Sequence, residues 1–291
     1  MTCKEYQKLF HRLNVNELAE DERAKFSAHI RQCSKCKKRL FPFKKSQRQK
    51  PSVPSHTRSK ALAESSVDSY AGIATTIGKI WIGHTPRGIS LISLGPNHSA
   101  EFEGYYQKRL CRGTRKGTIP KSYADAVRKA VAGKKAANVP MDLSSLSSFE
   151  HKVLQCLKQI PLGEIRPYSW LAKECGRPKA ARAVGTVMAR NPIPFLLPCH
   201  RVTPAGGGVG NYGYGAALKR ELLKKEGVPL DELDRWARSG IRFIGSKRTN
   251  AYCYPFCRIA YSIRAEDRIP LRTIKEAHQA GFRPCPNCRP E

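Results

Sequence analysis

Residues 191–203 read NPIPFLLPCHRVT, and this stretch indicates how the centre of the chain folds. The apolar run 193–197 predicts a buried strand that ends at Cys199. Any helix before it ends at Pro192, because proline disfavours helical geometry in the preceding residue. A thiol held there beside His200 has the surroundings of a nucleophile, since a nearby base raises its thiolate fraction. An isolated Cys-His pair is more often an ordinary buried cysteine, so the flanking sequence decides between the two readings.

Upstream of the thiol, two short helices joined by a Gly-Arg-Pro turn predict a helix-turn-helix. The first follows residues 163–167, and the second covers residues 179–190 with an apolar face of Ala180, Val184 and Val187. Small side chains on the second helix allow close approach to DNA, and its basic residues can contact phosphate. An amphipathic helix with a solvated basic face is the alternative interpretation.

Downstream, residues 203–215 contain six glycines and two tyrosines. Glycine permits close backbone approach to a ligand, and a tyrosine ring can form a wall for a flat base. A flexible loop is the alternative. Residues 216–227 predict a helix that ends at a glycine.

In this order the motifs resemble one family. Residues about 145–230 look like the active-site domain of methylated-DNA–protein-cysteine methyltransferases, the O6-alkylguanine-DNA alkyltransferases. The matching stretches are Phe149-x3-Val153, PLGE at 161–164, Pro178-x3-Arg182-Ala183-Val184-Gly185, Asn191-Pro192, PCHRV at 198–202 and Gly210-Asn211-Tyr212. Residues about 70–140 are compatible with the family's variable N-terminal half, with paired strands near 79–83 and 88–95 and a helix at 122–132.

The resemblance implies DNA repair by direct reversal. Cys199 would accept the alkyl group of O6-alkylguanine, or of O4-alkylthymine, once per molecule, as a methylated-DNA–[protein]-cysteine S-methyltransferase without a cofactor for the transfer. Neighbouring strand side chains point to opposite faces, so His200 is not expected to touch the thiol directly, and the resemblance implies a water between the two. Glu226 matches the family's glutamate that orients the imidazole.

The resemblance also assigns the residues that handle double-stranded DNA and the extruded base. Arg182 matches the arginine that fills the gap left by the base, with Ala181, Lys179 and Arg190 beside it on the DNA-binding face. The pocket residues implied are Tyr168 as donor to the ring nitrogen, Asn191 as brace, Val202 at the exocyclic amine, and Tyr212 with Gly213 at the closing loop. Gly213 replaces a serine that is frequent in the family. Tyr214, which follows, is unusual and is expected to narrow the pocket against large alkyl groups.

Two pairs of cysteines near the C-terminus predict a structural zinc site, formed by Cys253, Cys257, Cys285 and Cys288. The surrounding residues 277–290 resemble the zinc-binding domain of the adaptive-response (Ada) proteins. In that domain the first cysteine can accept methyl from a DNA phosphotriester, which is the position of Cys253. Tyr254 stands where arginine follows the acceptor in the family, so a purely structural role is the other interpretation.

The N-terminus contains a second pattern of metal-ligating residue types. Cys3, His29, Cys33 and Cys36 resemble the zinc finger of anti-sigma factors, which implies zinc and a sigma-factor-like protein partner. Unrelated cysteines on a basic helical segment are the alternative.

The composition favours a nucleic-acid partner. The 291 residues carry 53 Lys and Arg against 23 Asp and Glu, a net charge of +30. Residues 37–63 contain no acidic residue, and we predict a disordered basic linker at 41–69. The expected fold is α/β and multidomain, with a helical zinc module (1–40), an alkyltransferase α/β domain (70–142), a helix-turn-helix active-site domain (143–232), a link near 231–240 and a small α+β zinc module (241–291).

Two further functions remain open from the sequence. One is an Ada-like transcriptional regulator that responds to methylation, and the other is a lesion-binding protein that does not transfer. We find no secretory h-region and no apolar run of membrane-spanning length. The sequence therefore predicts a monomer without a membrane partner, in the reducing cytoplasm and associated with the nucleoid.

Overall fold

The computed structural model describes residues 67–95 and 98–290, and near the N-terminus residues 28, 29, 32 and 33. The chain divides into two units, Met1–Leu62 and Ala63–Glu291. In the first unit the Cys33 N–H donates to the His29 carbonyl at 2.9 Å. Cys3 and Cys36 lie outside the described residues, as does most of the basic linker, so the N-terminal zinc set remains a prediction.

The second unit begins with a four-stranded sheet of order β3-β2-β1-β4. Strands β1 (Asp68–Thr75), β2 (Gly78–Thr85) and β3 (Gly88–Leu94) are antiparallel, and β4 (Thr114–Lys116) pairs parallel with β1. The pairing of β2 with β3 confirms the strands expected there.

Alternate residues of β2 enter different cores, because strand side chains alternate between faces. Ile80 and Ile82 belong to the large core that includes helix α2 (Lys121–Val131), close to the helix expected at 122–132. Trp81 packs instead with Phe102 of helix α1 (Ser99–Leu110). The sheet therefore has one helix on each face.

Residues 143–232, predicted as the active-site domain, are mainly helical. Its elements are α3 (Ser148–Leu157), β5 (Arg166–Pro167), α4 (Tyr168–Glu174), α5 (Ala181–Ala189), β6 (Val202–Thr203) and α6 (Ala216–Lys225). Ser147 and Glu150 form a capping box that starts α3. Helices α4 and α5 form the predicted helix-turn-helix, and Gly176, with φ of 76°, turns the chain between them. The short strands β5 and β6 are parallel neighbours.

The prediction of a strand at 193–197 is wrong. Within that run the structure has only an isolated bridge between Pro194 and Leu197, and Phe195 has a φ of 72°. Cys199–Arg201 form a 3-10 turn instead of a strand end. The physical reason is the prolines at 192, 194 and 198, because they lack the N–H that a sheet ladder requires.

Residues 231–240, expected as a link, form most of another helix, α7 (Leu230–Arg238). Leu230, Leu233 and Trp236 recur at helical spacing, and Leu233 is buried. The C-terminal module follows with β7 (Phe243–Ser246), β8 (Ala251–Cys253), α8 (Arg258–Tyr261), β9 (Arg268–Leu271), α9 (Ile274–Gln279) and β10 (Arg283–Pro284). Its sheet has the order β10-β8-β7-β9. Among the residues described, no helix is long and apolar enough to cross a bilayer.

Candidate active site and metal centre

Cys199 lies at the start of the 3-10 turn, with only 5% of its surface exposed. The Asn191 side-chain amide donates to the Cys199 sulfur at 3.2 Å and to the Leu197 carbonyl at 2.8 Å. The Asn191 oxygen accepts from the Ile193 N–H at 3.1 Å. One side chain therefore contacts both ends of the irregular segment and the sulfur, and the role of Asn191 as a brace stays a prediction.

Burial raises the pKa of the Cys199 thiol, because a buried anion is poorly solvated. The hydrogen bond from Asn191 acts in the opposite direction, as does the Tyr212 hydroxyl, whose oxygen lies 4.0 Å from the sulfur. The raised pKa means that the thiol is protonated at rest. The contacts with Asn191 and Tyr212 would stabilise a thiolate, but a base has to remove the proton from the thiol.

His200 and Glu226 form a buried pair that can supply this base. The His200 Nε2 lies 2.8 Å from a Glu226 carboxylate oxygen. Arg201 donates twice to the same carboxylate, at 2.8 and 2.9 Å, and once to the Ile160 carbonyl at 2.8 Å. Burial by itself would raise the pKa of Glu226, but the hydrogen bonds from His200 and Arg201 outweigh it and lower that pKa to about 2. Glu226 is therefore a carboxylate at neutral pH.

The two nitrogens of the His200 ring have different surroundings. With Nε2 donating to the carboxylate, the neutral ring leaves Nδ1 as an acceptor. Nδ1 is buried and has no hydrogen-bond partner among the residues that the structure describes. Burial lowers the pKa of His200 despite the opposing effect of Glu226. The imidazole is therefore neutral and able to accept a proton at Nδ1.

The other predicted pocket residues lie in α4, in β6 and in the segment that precedes α6. Tyr168 is the first residue of α4, and burial together with the nearby Cys199 raises its pKa, so it keeps its proton. Val202 is buried in β6. A Cβ added at Gly213 would meet no described atom within 4 Å, so the missing serine leaves open space.

Tyr214 occupies the space beside the pocket. Its ring stacks on Phe195 at a centroid distance of 6.0 Å and meets the Tyr212 ring edge-on at 5.8 Å. Burial raises the pKa of Tyr214, which therefore stays neutral. The side chain thus forms an aromatic wall next to the ring that touches the sulfur.

The predicted DNA-binding residues all lie in or next to helix α5. Arg182 is in the first turn of α5 and is exposed, as are Lys179 and Arg190 at the two ends of the helix. Ala181 is half-buried, while Val184 and Val187 face the core. The Arg190 carbonyl accepts a hydrogen bond from Arg109 of α1, which joins the end of α5 to α1.

Two residues of the site were not predicted from the sequence. The first is Arg201, which directly follows the Cys-His pair and donates two hydrogen bonds to the Glu226 carboxylate. Lys219 is fully buried in α6 and donates to the Val202 carbonyl at 2.6 Å, and burial lowers its pKa to about 8. Its sequence signal was its position three and four residues before Leu222 and Leu223, which places it on the buried face of α6.

The C-terminal module brings together the four predicted cysteines. The sulfurs of Cys253, Cys257, Cys285 and Cys288 all lie within 4.8 Å of one another, and all four are buried. Sulfurs around a tetrahedral zinc ion at about 2.3 Å are roughly 3.8 Å apart, so the set fits zinc.

Hydrogen bonds from outside the cysteine set support the same conclusion. The Tyr254 N–H donates to the Cys288 sulfur at 3.4 Å, and the Asn287 side chain donates to Cys257 at 3.2 Å. Donors of this kind stabilise metal-bound thiolates. The donor set is therefore that of a closed structural site with four sulfur ligands.

Comparisons with known proteins agree with this geometry. A family model described as the 6-O-methylguanine DNA methyltransferase DNA-binding domain matches residues 148–228, and one described as the metal-binding domain of Ada matches residues 234–291. The Mus musculus methylated-DNA–protein-cysteine methyltransferase is 34% identical over 183 residues, which are 59% of this chain and 87% of the mouse protein. The chain therefore belongs to the methylated-DNA–protein-cysteine methyltransferase family.

Two other matches extend the comparison. The Escherichia coli bifunctional transcriptional activator/DNA repair enzyme Ada is 29% identical over 54% of this chain and 45% of its own length. A crystal structure of Mycobacterium tuberculosis OGT in complex with DNA is 30% identical, covering 57% of this chain and 98% of that chain with a TM-score of 0.46. Matches to the rat, human and Chinese hamster methyltransferases cover 47%, 46% and 40% of those proteins, so this chain spans about half of their length or less.

Proposed function

We propose that this protein repairs DNA by transferring the alkyl group of O6-alkylguanine, or of O4-alkylthymine, to Cys199 in a single turnover. The observation that carries the proposal is the buried thiol beside a neutral imidazole whose outer nitrogen is tied to an ionised carboxylate. This is the arrangement of a nucleophile, a base and a group that orients the base. A protein that only binds lesions needs none of the three.

The proposed reaction is a displacement at the alkyl carbon. The Cys199 proton moves to Nδ1 of His200 through a water, and Glu226 stabilises the imidazolium. The thiolate attacks the alkyl carbon, so an S–C bond forms while the C–O6 bond breaks and its electron pair stays on the purine. Tyr168 protonates the purine at a ring nitrogen and recovers a proton from His200 through solvent. The thiol proton thus ends on guanine, and the thioether remains on the protein.

Before this step the base has to leave the duplex. We assign the gap-filling role to Arg182, because it is exposed at the start of a helix whose opposite face is buried. Lys179 and Arg190 extend the positive surface toward phosphates, and Ala181 allows close approach. The excess of basic residues favours the same double-stranded partner.

We further propose that Tyr214 limits the size of the alkyl group. Its ring lies against Phe195 and Tyr212, so the wall beside the sulfur is aromatic and packed. Changing Tyr214 to Gly should speed transfer of a benzyl group relative to methyl by about ten-fold, since removing the ring opens the wall. Competition between O6-benzylguanine and O6-methylguanine oligonucleotides measures the ratio. An unchanged ratio would show that Tyr214 does not limit the size of the alkyl group.

A second candidate function is suggested by the match to the Ada metal-binding domain. Methyl transfer from a phosphotriester to Cys253 would let methylation switch DNA binding, as in a transcriptional regulator. Cys253 is only 1% exposed, so this transfer requires the module to open around its sulfur. We therefore assign zinc binding to the four cysteines first and acceptor chemistry to Cys253 second.

For the N-terminal segment we retain the proposal of a second zinc ion at Cys3, His29, Cys33 and Cys36 and of a sigma-factor-like partner. Zinc analysis of the full chain should then give two ions per molecule, and one ion would remove the N-terminal site. A monomer in the cytoplasm is the form in which we expect the protein to act.

One mass measurement tests the two acceptor assignments together. The full chain is incubated with a duplex containing O6-methylguanine and methyl phosphotriesters, and its peptides are weighed. A gain of about 14 Da on the Cys199 peptide is expected, as one methyl replaces one proton. No gain on that peptide would contradict the repair function, whereas a gain on the Cys253 peptide would establish the second candidate.

A further inference from the structure

The loop that leads into the pocket is built against the C-terminal module. We call residues 203–210 the pocket loop, because Asn211 and Tyr212 follow it directly. Gly207 has a φ of +84°, and a Cβ there would lie 2.9 Å from the Arg242 guanidinium and 3.1 Å from the Ala237 Cβ. The pocket loop is therefore in close contact with helix α7 and with the first residues of the module.

The same loop shares apolar packing with the module. Val209 is buried in one cluster with Leu233 of α7 and Phe256 of the module. The Phe256 ring also packs on Trp236, with centroids 5.3 Å apart. A cavity of about 200 Å³ lies beside this cluster, and both the pocket loop and the module line it. Phe256 directly precedes the cysteine ligand Cys257, so the loop rests on the edge of the metal centre.

A second contact connects the metal centre to the strand before Tyr168. Arg166 of β5 is 2% exposed and ion-paired with Glu164, and its guanidinium lies 6.0 Å from the ring centroid of Tyr254. Tyr254 follows the ligand Cys253 and donates its N–H to the sulfur of Cys288. Strand β5 in turn pairs with β6, which carries the pocket residue Val202.

Two peripheral contacts hold the module to the same region. Arg289, next to the ligand Cys288, forms an ion pair at 2.5 Å with Glu174 at the end of α4. The Tyr261 hydroxyl donates to the Gly163 carbonyl at 3.3 Å. All four contacts reach either the pocket loop or residues 163–174, so they converge on the two segments that frame the thiol.

We propose that the four-cysteine module is a clamp on the alkyl-transfer site: its metal-dependent fold holds the pocket loop and the β5–β6 pair in place. Phe256 and Tyr254 act as positioning residues, since they touch the framework of the pocket and not the substrate. The proposal rests on alkyl transfer at Cys199. Its physical basis is that small zinc modules lose their fold without metal, and that a displacement of about 1 Å can cost a hundred-fold in rate.

The test uses the full zinc-loaded chain with Phe256→Ala, and Phe282→Ala as matched control. Phe282 belongs to the same module but packs on Gly245 of β7, in a different core cluster from Val209 and Phe256. Hydrogen exchange of residues 203–212 and the rate of Cys199 methylation by a duplex substrate are measured. Phe256→Ala should raise the exchange and lower the rate, each by about ten-fold, and Phe282→Ala should leave both within about two-fold.

Removing zinc with a chelator should reproduce the Phe256→Ala result. Val209→Ala perturbs the same cluster from the loop side, so it should raise exchange in 203–212 while the zinc content stays constant. Unchanged exchange in that segment with Val209→Ala and after metal removal would overturn the clamp. If the unaltered protein never methylates Cys199, the repair function fails, yet the exchange measurements still decide whether the clamp exists.

Discussion

Two of the buried sulfur sites in the described part of the chain have opposite chemistry. At the first, Cys199 is a single thiol with an amide donor and a neutral base in the next residue. At the second, four thiols face one another at distances that fit one zinc ion. A metal shared by four sulfurs neutralises their charge and uses their lone pairs, whereas a lone thiol keeps its lone pair for attack. Neighbouring groups, and not burial, therefore decide the chemistry of a buried cysteine in this protein.

The largest effect expected is from Cys199→Ser, which replaces the nucleophile by a hydroxyl that does not ionise at neutral pH. Transfer from O6-methylguanine duplexes should fall by at least about 10⁴-fold, or roughly 5.5 kcal/mol, while zinc content is unchanged. Single-turnover kinetics measure the rate. Cys175→Ser is the matched control, because the buried Cys175 donates to the Leu171 carbonyl at 3.0 Å as a hydroxyl can. A variant that still removes lesions at the parent's rate would refute the assignment of the acceptor.

At the other site, Cys285→Ser should affect stability more than chemistry. Losing one of four ligands should release zinc and destabilise the module by about 3 to 5 kcal/mol. Zinc analysis and thermal unfolding check this result, with the exposed Cys111→Ser as control. Full zinc retention in the Cys285→Ser protein would contradict the ligand set.

The Glu226 carboxylate, which pairs with His200, gives a prediction that depends on pH. The pKa of Glu226 falls from an ordinary 4.5 to about 2 on folding, so its ionised form stabilises the fold above pH 4.5. That contribution, on the order of 3 kcal/mol, is lost as the pH falls from about 4.5 toward 2. Glu226→Gln should therefore be much less stable than the parent at pH 7 and nearer to it at pH 3.5.

Urea unfolding at both pH values measures this difference. Glu221→Gln, on the same helix but in a solvent-exposed pair with Lys225, is the control and should change little. A gap between parent and Glu226→Gln that is the same at pH 7 and pH 3.5 would refute an ionised, stabilising Glu226.

The smallest effect is expected at the proposed DNA-binding surface. Arg182→Ala should slow repair of duplexes by about ten-fold and repair of single strands much less, because only a duplex leaves a gap to fill. Arg128→Ala removes the same charge from α2, outside the helix-turn-helix, and should leave the ratio of the two rates unchanged. Equal slowing on both substrates by Arg182→Ala would indicate phosphate binding instead of gap filling.

Much of the architecture was predictable because it depends on local pattern. The helix-turn-helix follows from apolar spacing and a glycine turn, and the hairpin of β2 and β3 follows from two runs rich in isoleucine. The four zinc ligands follow from the spacing of their cysteines. The buried strand before Cys199 was a wrong prediction, because apolar periodicity does not register that three prolines remove ladder donors.

Residue type and spacing alone single out Cys199, His200 and the paired cysteines as candidates for chemistry. What these residues touch depends on the packing of the folded chain. The contacts of Glu226 with Arg201, of Lys219 with the Val202 carbonyl, and of Phe256 with Trp236 all join segments distant along the chain. Such contacts are set by how whole elements pack, and no local spacing encodes them.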